Sequence, residues 1–120
     1  MLFLEFINVA LNADLKPSTH PIQVGIKHTG DAVSAFDMIS YCKGASWIKT
    51  MDNFIGRKSL QEGLQAYVQK YAYKNSKLND FVECMNEALK KNDPSCNLPA
   101  WTETWLLKSG PNQIEAEFVE

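Results

Sequence analysis

Apolar residues recur at helical spacing along most of the chain. Phe3, Phe6, Ile7 and Ala10 predict a first helix over residues 2–13. Residues 15–30 break that rhythm with Pro17, Pro21, Gly25 and Gly30 around a short β-like run, Ile22–Gln23–Val24. Residues 31–38 are ambiguous and fit a single helical turn. Ser40 reads as the cap of a longer helix to about Ile55, since its hydroxyl can accept an orphaned backbone N–H. Tyr41, Ala45, Ile48 and Ile55 lie near one face of that helix, with Trp47, Met51 and Phe54 alongside, and Gly56 fits its left-handed end.

A helix is predicted over about residues 57–70, where Leu60, Leu64, Tyr67 and Val68, with Tyr71 just beyond, form an apolar stripe. Leu78, Phe81, Val82, Met85 and Leu89 form another over residues 77–91, whose last turn carries Lys90 and Lys91 at the negative end of the helix dipole. A final helix is predicted over residues 98–107, with Pro99 in its first turn and Gly110–Pro111 beyond it. Ile114, Ala116 and Phe118 alternate in the tail and suit an edge strand, which cannot stand alone. The expected fold is an all-α bundle of four or five helices with short connections.

Composition changes this picture little. The 120 residues are 45% hydrophobic and 22% charged, as in an ordinary globular domain or part of one. A net charge of −2 gives no pull toward nucleic acid or an anionic membrane. Cys42, Cys84 and Cys96 are odd in number and lack C-x-x-C spacing, which argues for free thiols and leans toward the cytoplasm. Residues 1–11 are apolar, but Glu5 and Asn8 interrupt them and no positive start precedes them, so they read as an amphipathic helix and not as a leader. No run approaches the roughly 20 apolar residues of a membrane span.

Candidate chemistry is sparse. The two histidines, His20 and His28, stand eight apart in a loop and make no zinc motif. Cys42, near a helix start, has no evident base and reads as a small buried side chain. Glu103 and Asp80 read as solvated surface carboxylates, and no nucleophile elbow or phosphate-binding glycine loop is present. Periodicity alone stops at a helical domain with aromatic core stripes.

One run goes further. Ile39–Ser40–Tyr41–Cys42–Lys43–Gly44–Ala45–Ser46 resembles the I-S-Y-x-K-G-A-S segment of aminopeptidase N-like enzymes, the gluzincin aminopeptidases. Ser18–Thr19–His20–Pro21–Ile22 is similar to the S-H-P-I element of that family. Gly56 to Tyr67 resembles its G-x-x-x-F-x-x-G-L-x-x-Y helix, with Leu60 where phenylalanine is usual. Tyr71–Ala72–Tyr73–Lys74–Asn75 and then Asp80–Phe81 are similar to its next break and helix start. Trp101, Trp105 and Ser109–Gly110–Pro111–Asn112 resemble the close of its catalytic domain. Trp47 departs from the smaller aliphatic usual there. The ordered segments cover nearly the whole chain.

The resemblance implies that residues 1–110 are the helical half of a thermolysin-like catalytic domain, and that residues 111–120 begin a β-rich domain. It implies that Tyr41 is catalytic. Its phenol would donate to the oxyanion formed when water attacks the scissile carbonyl, charge that develops only in the transition state. Tyrosine suits this task because phenols ordinarily ionise well above neutrality. Lys43 and Gly44 are expected to set the helix start and its close packing, and His20 to shape its loop. The full-length enzymes use zinc, held by H-E-x-x-H and a later glutamate, and bind the peptide amino terminus through a G-A-M-E-N-like segment. None of these occurs in this sequence. The expectation is therefore a fragment of a zinc aminopeptidase acting on peptides, with no metal bound by this chain alone and no activity of its own. The missing zinc-binding half is a possible partner. The alternative is a non-catalytic helical interaction module.

Overall fold

The computed structural model describes residues 2–118; Met1, Val119, Glu120 and the side chains of Leu2 and Phe3 lie outside the described residues. The described residues form α1 (Leu2–Asp14), α2 (Thr29–Ser34), a π-helical turn (Ile39–Lys43), α3 (Gly44–Ile55), α4 (Arg57–Tyr71), α5 (Leu78–Lys90) and α6 (Leu98–Leu106), with no strand among them. The all-α bundle expected from periodicity is the fold. Its radius of gyration, 16.1 Å, exceeds the roughly 13–14 Å of a compact domain of this length. The 15–37 connection and the tail account for this, since both are mostly exposed.

The core is built by α3, α4, α5 and α6. Trp47, Met51 and Ile55 recur every four residues on the buried side of α3. Leu60 from α4, Val82, Met85 and Leu89 from α5, and Leu98 and Leu106 from α6 complete the cluster. Trp101 continues it outward, stacking on Phe54 at 5.0 Å between ring centroids and on Trp47 at 6.1 Å. The indole Nε1 of Trp47 is buried and has no hydrogen-bond partner among the described residues. Burying that donor unpaired costs about 1–3 kcal/mol, against the large apolar area the ring brings.

Helix α4 lies along α5. Gly63 makes this contact close. A Cβ there would sit 2.6 Å from Met85 Sδ, 3.0 Å from Met85 Cα and 3.3 Å from the Cys84 carbonyl. Met85 is fully buried and its Cα cannot swing away. Gly63→Ala is therefore expected to destabilise by about 1–2 kcal/mol, overpacking outweighing the better helix propensity of alanine. A urea midpoint equal to or above wild type would contradict the close approach.

Four sequence expectations are corrected. The run Ile22–Gln23–Val24 forms no strand; the Gln23 amide instead donates to the Leu106 carbonyl at 3.0 Å, tying this loop to the end of α6. The tail forms no edge strand over residues 113–118, because no partner strand stands beside it, and Ile114 and Phe118 are exposed. Ser40 does not cap a helix: Met38 precedes the π-turn in helical conformation, and the Ser40 hydroxyl donates to the Ala35 carbonyl at 2.6 Å. Gly44 is not at a close contact, for nothing lies within 4 Å of a Cβ built on it. Gly56, with φ of 78°, separates α3 from α4 as expected.

Candidate active-site tyrosine

The π-turn places one residue more between its ends than an α-turn would, and the Gly44 amide reaches back to the Ile39 carbonyl. Ile39 and Cys42 anchor it inward, both 3% exposed. Tyr41 is thereby turned outward and is 53% exposed, so it is not part of this chain's core. It borders an open groove of about 490 Å³, whose walls include Ile22, Gly44, Ala45, Ile48 and Leu106. With no side chain, Gly44 leaves the wall beside Tyr41 low. The Phe36 ring meets the Tyr41 ring edge-on, 5.0 Å between centroids and 78° between planes.

Asp37 sets the backbone of this turn. Its Oδ1 accepts from the Ser40 amide at 2.9 Å, and its carbonyl accepts from the Tyr41 amide at 3.1 Å. Its Oδ2 lies 2.8 Å from His20 Nε2. The other ring nitrogen, Nδ1, is 2.7 Å from the Pro21 carbonyl. The Pro21 bond and then the Asp37 bond raise the His20 pKa above its ordinary value, against a smaller opposing effect of burial. Burial alone would raise the Asp37 pKa, but the Ser40 amide and His20 outweigh it and hold the carboxyl below its usual range. His20 thus shapes its loop, as expected. Asp37 was missed, although an Asp three residues before Ser40 has the spacing of a side-chain cap.

Lys43 runs to the other side. Its Nζ lies 2.8 Å from Asp14 Oδ2 and donates to the carbonyls of Lys108 and Gly110 at 3.3 and 3.2 Å. Asp14 ends α1, near the negative pole of that helix, and is 4% exposed. A carboxylate there needs strong partners. Thr19 Oγ1 donates to its Oδ1 at 2.6 Å and the Gly110 amide at 3.0 Å. Burial pushes the Asp14 pKa up, yet Lys43, Thr19 and Gly110 together pull it below the ordinary value. One lysine therefore ties α1, the Tyr41 turn and the segment after α6 together.

The remaining candidates are structural. Cys42 is buried, and all three cysteines are free thiols. Asp80 Oδ2 accepts from the Lys77 amide at 2.7 Å and caps α5. No group of three His, Cys, Asp or Glu that could hold a metal ion exists among the described residues. No helix of the described residues is long and apolar enough to cross a membrane.

Over most of its length the chain is similar to peptidases. The family described as the peptidase family M1 domain matches residues 1–105. Aminopeptidase M1-D of Oryza sativa subsp. japonica is 38% identical over 108 residues, covering 90% of this chain and 12% of that protein. Aminopeptidase N of Streptomyces lividans is 33% identical over 108 residues, with the same two shares. The human thyrotropin-releasing hormone-degrading ectoenzyme is 36% identical over 93 residues, 78% of this chain and 9% of that protein. The chain belongs to peptidase family M1. It spans about an eighth of the length of the first two relatives.

Proposed function

We propose that this chain is the helical C-terminal part of the catalytic domain of a zinc aminopeptidase, which removes N-terminal amino acids from peptides, and that it contributes Tyr41 as hydrogen-bond donor to the oxyanion of the transition state. The observation that carries this is the placement of Tyr41. Its neighbours Ile39 and Cys42 are buried, while its own ring stands over an open groove, with its backbone held by Asp37. A preorganised donor at a groove wall costs no reorganisation when charge develops on a substrate carbonyl. A tyrosine serving only this chain's packing would face the Trp47–Met51–Ile55 side of the bundle.

The family implies zinc, and the described residues do not fit it. His20 is committed at both nitrogens, and no three ligand-type side chains converge among the described residues. The part played by this chain is confined to the substrate side of the reaction. The pure chain is accordingly expected to hold no stoichiometric zinc and to release no aminoacyl reporter group. Metal analysis and a fluorogenic aminoacyl substrate check this, and zinc-dependent turnover by the chain alone would sink the proposal.

A second reading, a non-catalytic helical interaction module, is favoured by the exposed apolar residues Phe36 and Ile48 beside Tyr41. Light scattering separates the two. A defined dimer supports the module, and a cooperatively melting monomer weakens it.

A further inference from the structure

We propose that His20 and Asp37 are positioning residues for Tyr41, and that the complete clasp from Pro21 through His20 to Asp37 holds the Tyr41 turn only while the His20 ring carries a proton on both nitrogens. The inference rests on the reading of Tyr41 as the reacting donor for its purpose, but not for its test.

Proton bookkeeping on the ring leads to it. The Pro21 carbonyl can only accept, so the 2.7 Å contact requires a hydrogen on Nδ1. An ionised carboxylate also only accepts, so the 2.8 Å contact between Nε2 and Asp37 Oδ2 requires a second hydrogen. Both contacts together define an imidazolium. A neutral ring keeps one of them and turns a bare nitrogen lone pair toward the other oxygen. The stiff ring of Pro21 limits how far its carbonyl can follow.

What the clasp holds is short and specific. Asp37 binds His20 through one oxygen, the Ser40 amide through the other, and the Tyr41 amide through its own carbonyl. A loop seventeen residues upstream is thereby joined to the two amides that orient Tyr41. The charged groups facing His20 are Asp37 from the turn and, farther off, Asp14 from α1, which Lys43 already neutralises. The pair is partly solvated, with 25% of the His20 and 36% of the Asp37 side chain exposed. Its effect is therefore on orientation more than on global stability. The pKa direction agrees: a raised His20 gives a contribution that is complete below about 6.5, the ordinary histidine value, and is lost as pH rises through its higher folded value.

The experiment is a nuclear magnetic resonance titration of the full 120-residue chain across neutral pH. It follows the His20 ring, the Ser40 and Tyr41 amides and the Tyr41 ring. The expected result is one shared midpoint for all four, above the ordinary histidine value. In Asp37→Asn an oxygen still accepts from the Ser40 amide, but the ion pair is gone. The His20 midpoint falls, and the Tyr41 signals no longer follow it. In Asp37→Ala the Ser40 amide also loses its acceptor and exchanges about tenfold faster than in Asp37→Asn. Unshifted α4 and α5 amides report that the fold persists. If Asp37→Ala does not fold, wild type and Asp37→Asn decide between them. Tyr41 signals that ignore the His20 midpoint in wild type, or that keep following it in Asp37→Asn, overturn the proposal. Tyr41→Phe retains the clasp, so failure of the phenol's catalytic role would leave the backbone titration in place.

Discussion

Tyr41→Phe, in an assembled peptidase that carries this chain together with its zinc-binding part, is expected to lower kcat by about a hundred- to a thousandfold. The substitution keeps the ring and hence its edge-on contact with Phe36. It removes only an O–H that this chain does not use in its core, since Tyr41 is 53% exposed. Stability and zinc content should therefore hold. An interaction made only in the transition state lowers kcat and kcat/KM together and leaves KM nearly unchanged. Steady-state kinetics and metal analysis on one preparation check both halves. Equal activity would remove Tyr41 from the reaction, whatever its position.

The second large effect concerns stability. Lys43→Met should destabilise the chain by about 3–5 kcal/mol, because it strands the Asp14 carboxylate at 4% exposure. The Thr19 and Gly110 donors remain but carry no full positive charge. Their retention sets the expected loss toward the lower end. Adding Asp14→Leu to Lys43→Met should recover part of it by removing the buried charge, although Thr19 and the Gly110 amide then lose their acceptor. Urea unfolding of the three proteins checks the order. The wild-type pair also has a pH signature. The Asp14 pKa is depressed in the folded state, so its contribution is present above the ordinary carboxylate value of about 3.9. It is lost as pH falls through the lower folded value. Lys43→Met should lack that acid limb.

These two residues show how far the sequence could be read. The helices were legible because burial imposes a period of 3.6, and the bounds of α4, α5 and α6 fall within a residue of the pattern at each end. Resemblance singles out Tyr41, but its exposure was not legible. The pattern groups Tyr41, Ala45, Ile48 and Ile55 on one face, but Ile55 belongs to the buried stripe with Trp47 and Met51, and Ile48 is 49% exposed. Apolarity alone does not distinguish a face that meets this chain's core from one that borders a groove. The cap was misplaced by three residues because Ser40 and Asp37 are both capping types, and only the backbone path shows whose oxygen reaches the amide. The partner of Lys43 was out of reach altogether. Asp14 lies 29 positions away, and nothing periodic links a helix end to a distant turn.

The turn at residues 39–43 holds one residue in excess of an α-helical path. Counted in codons, this makes the tally of the segment as sensitive as its spelling. Point changes at outward positions leave the tally intact. An in-frame loss of the Cys42 triplet would let ordinary helical hydrogen bonding close up over the same path, and would carry Tyr41 into the inward position that Cys42 holds. Tyr41 would swing off the groove with its own codon untouched. In a survey of variants, short in-frame deletions here should therefore be depleted more strongly than missense changes at the same exposed positions.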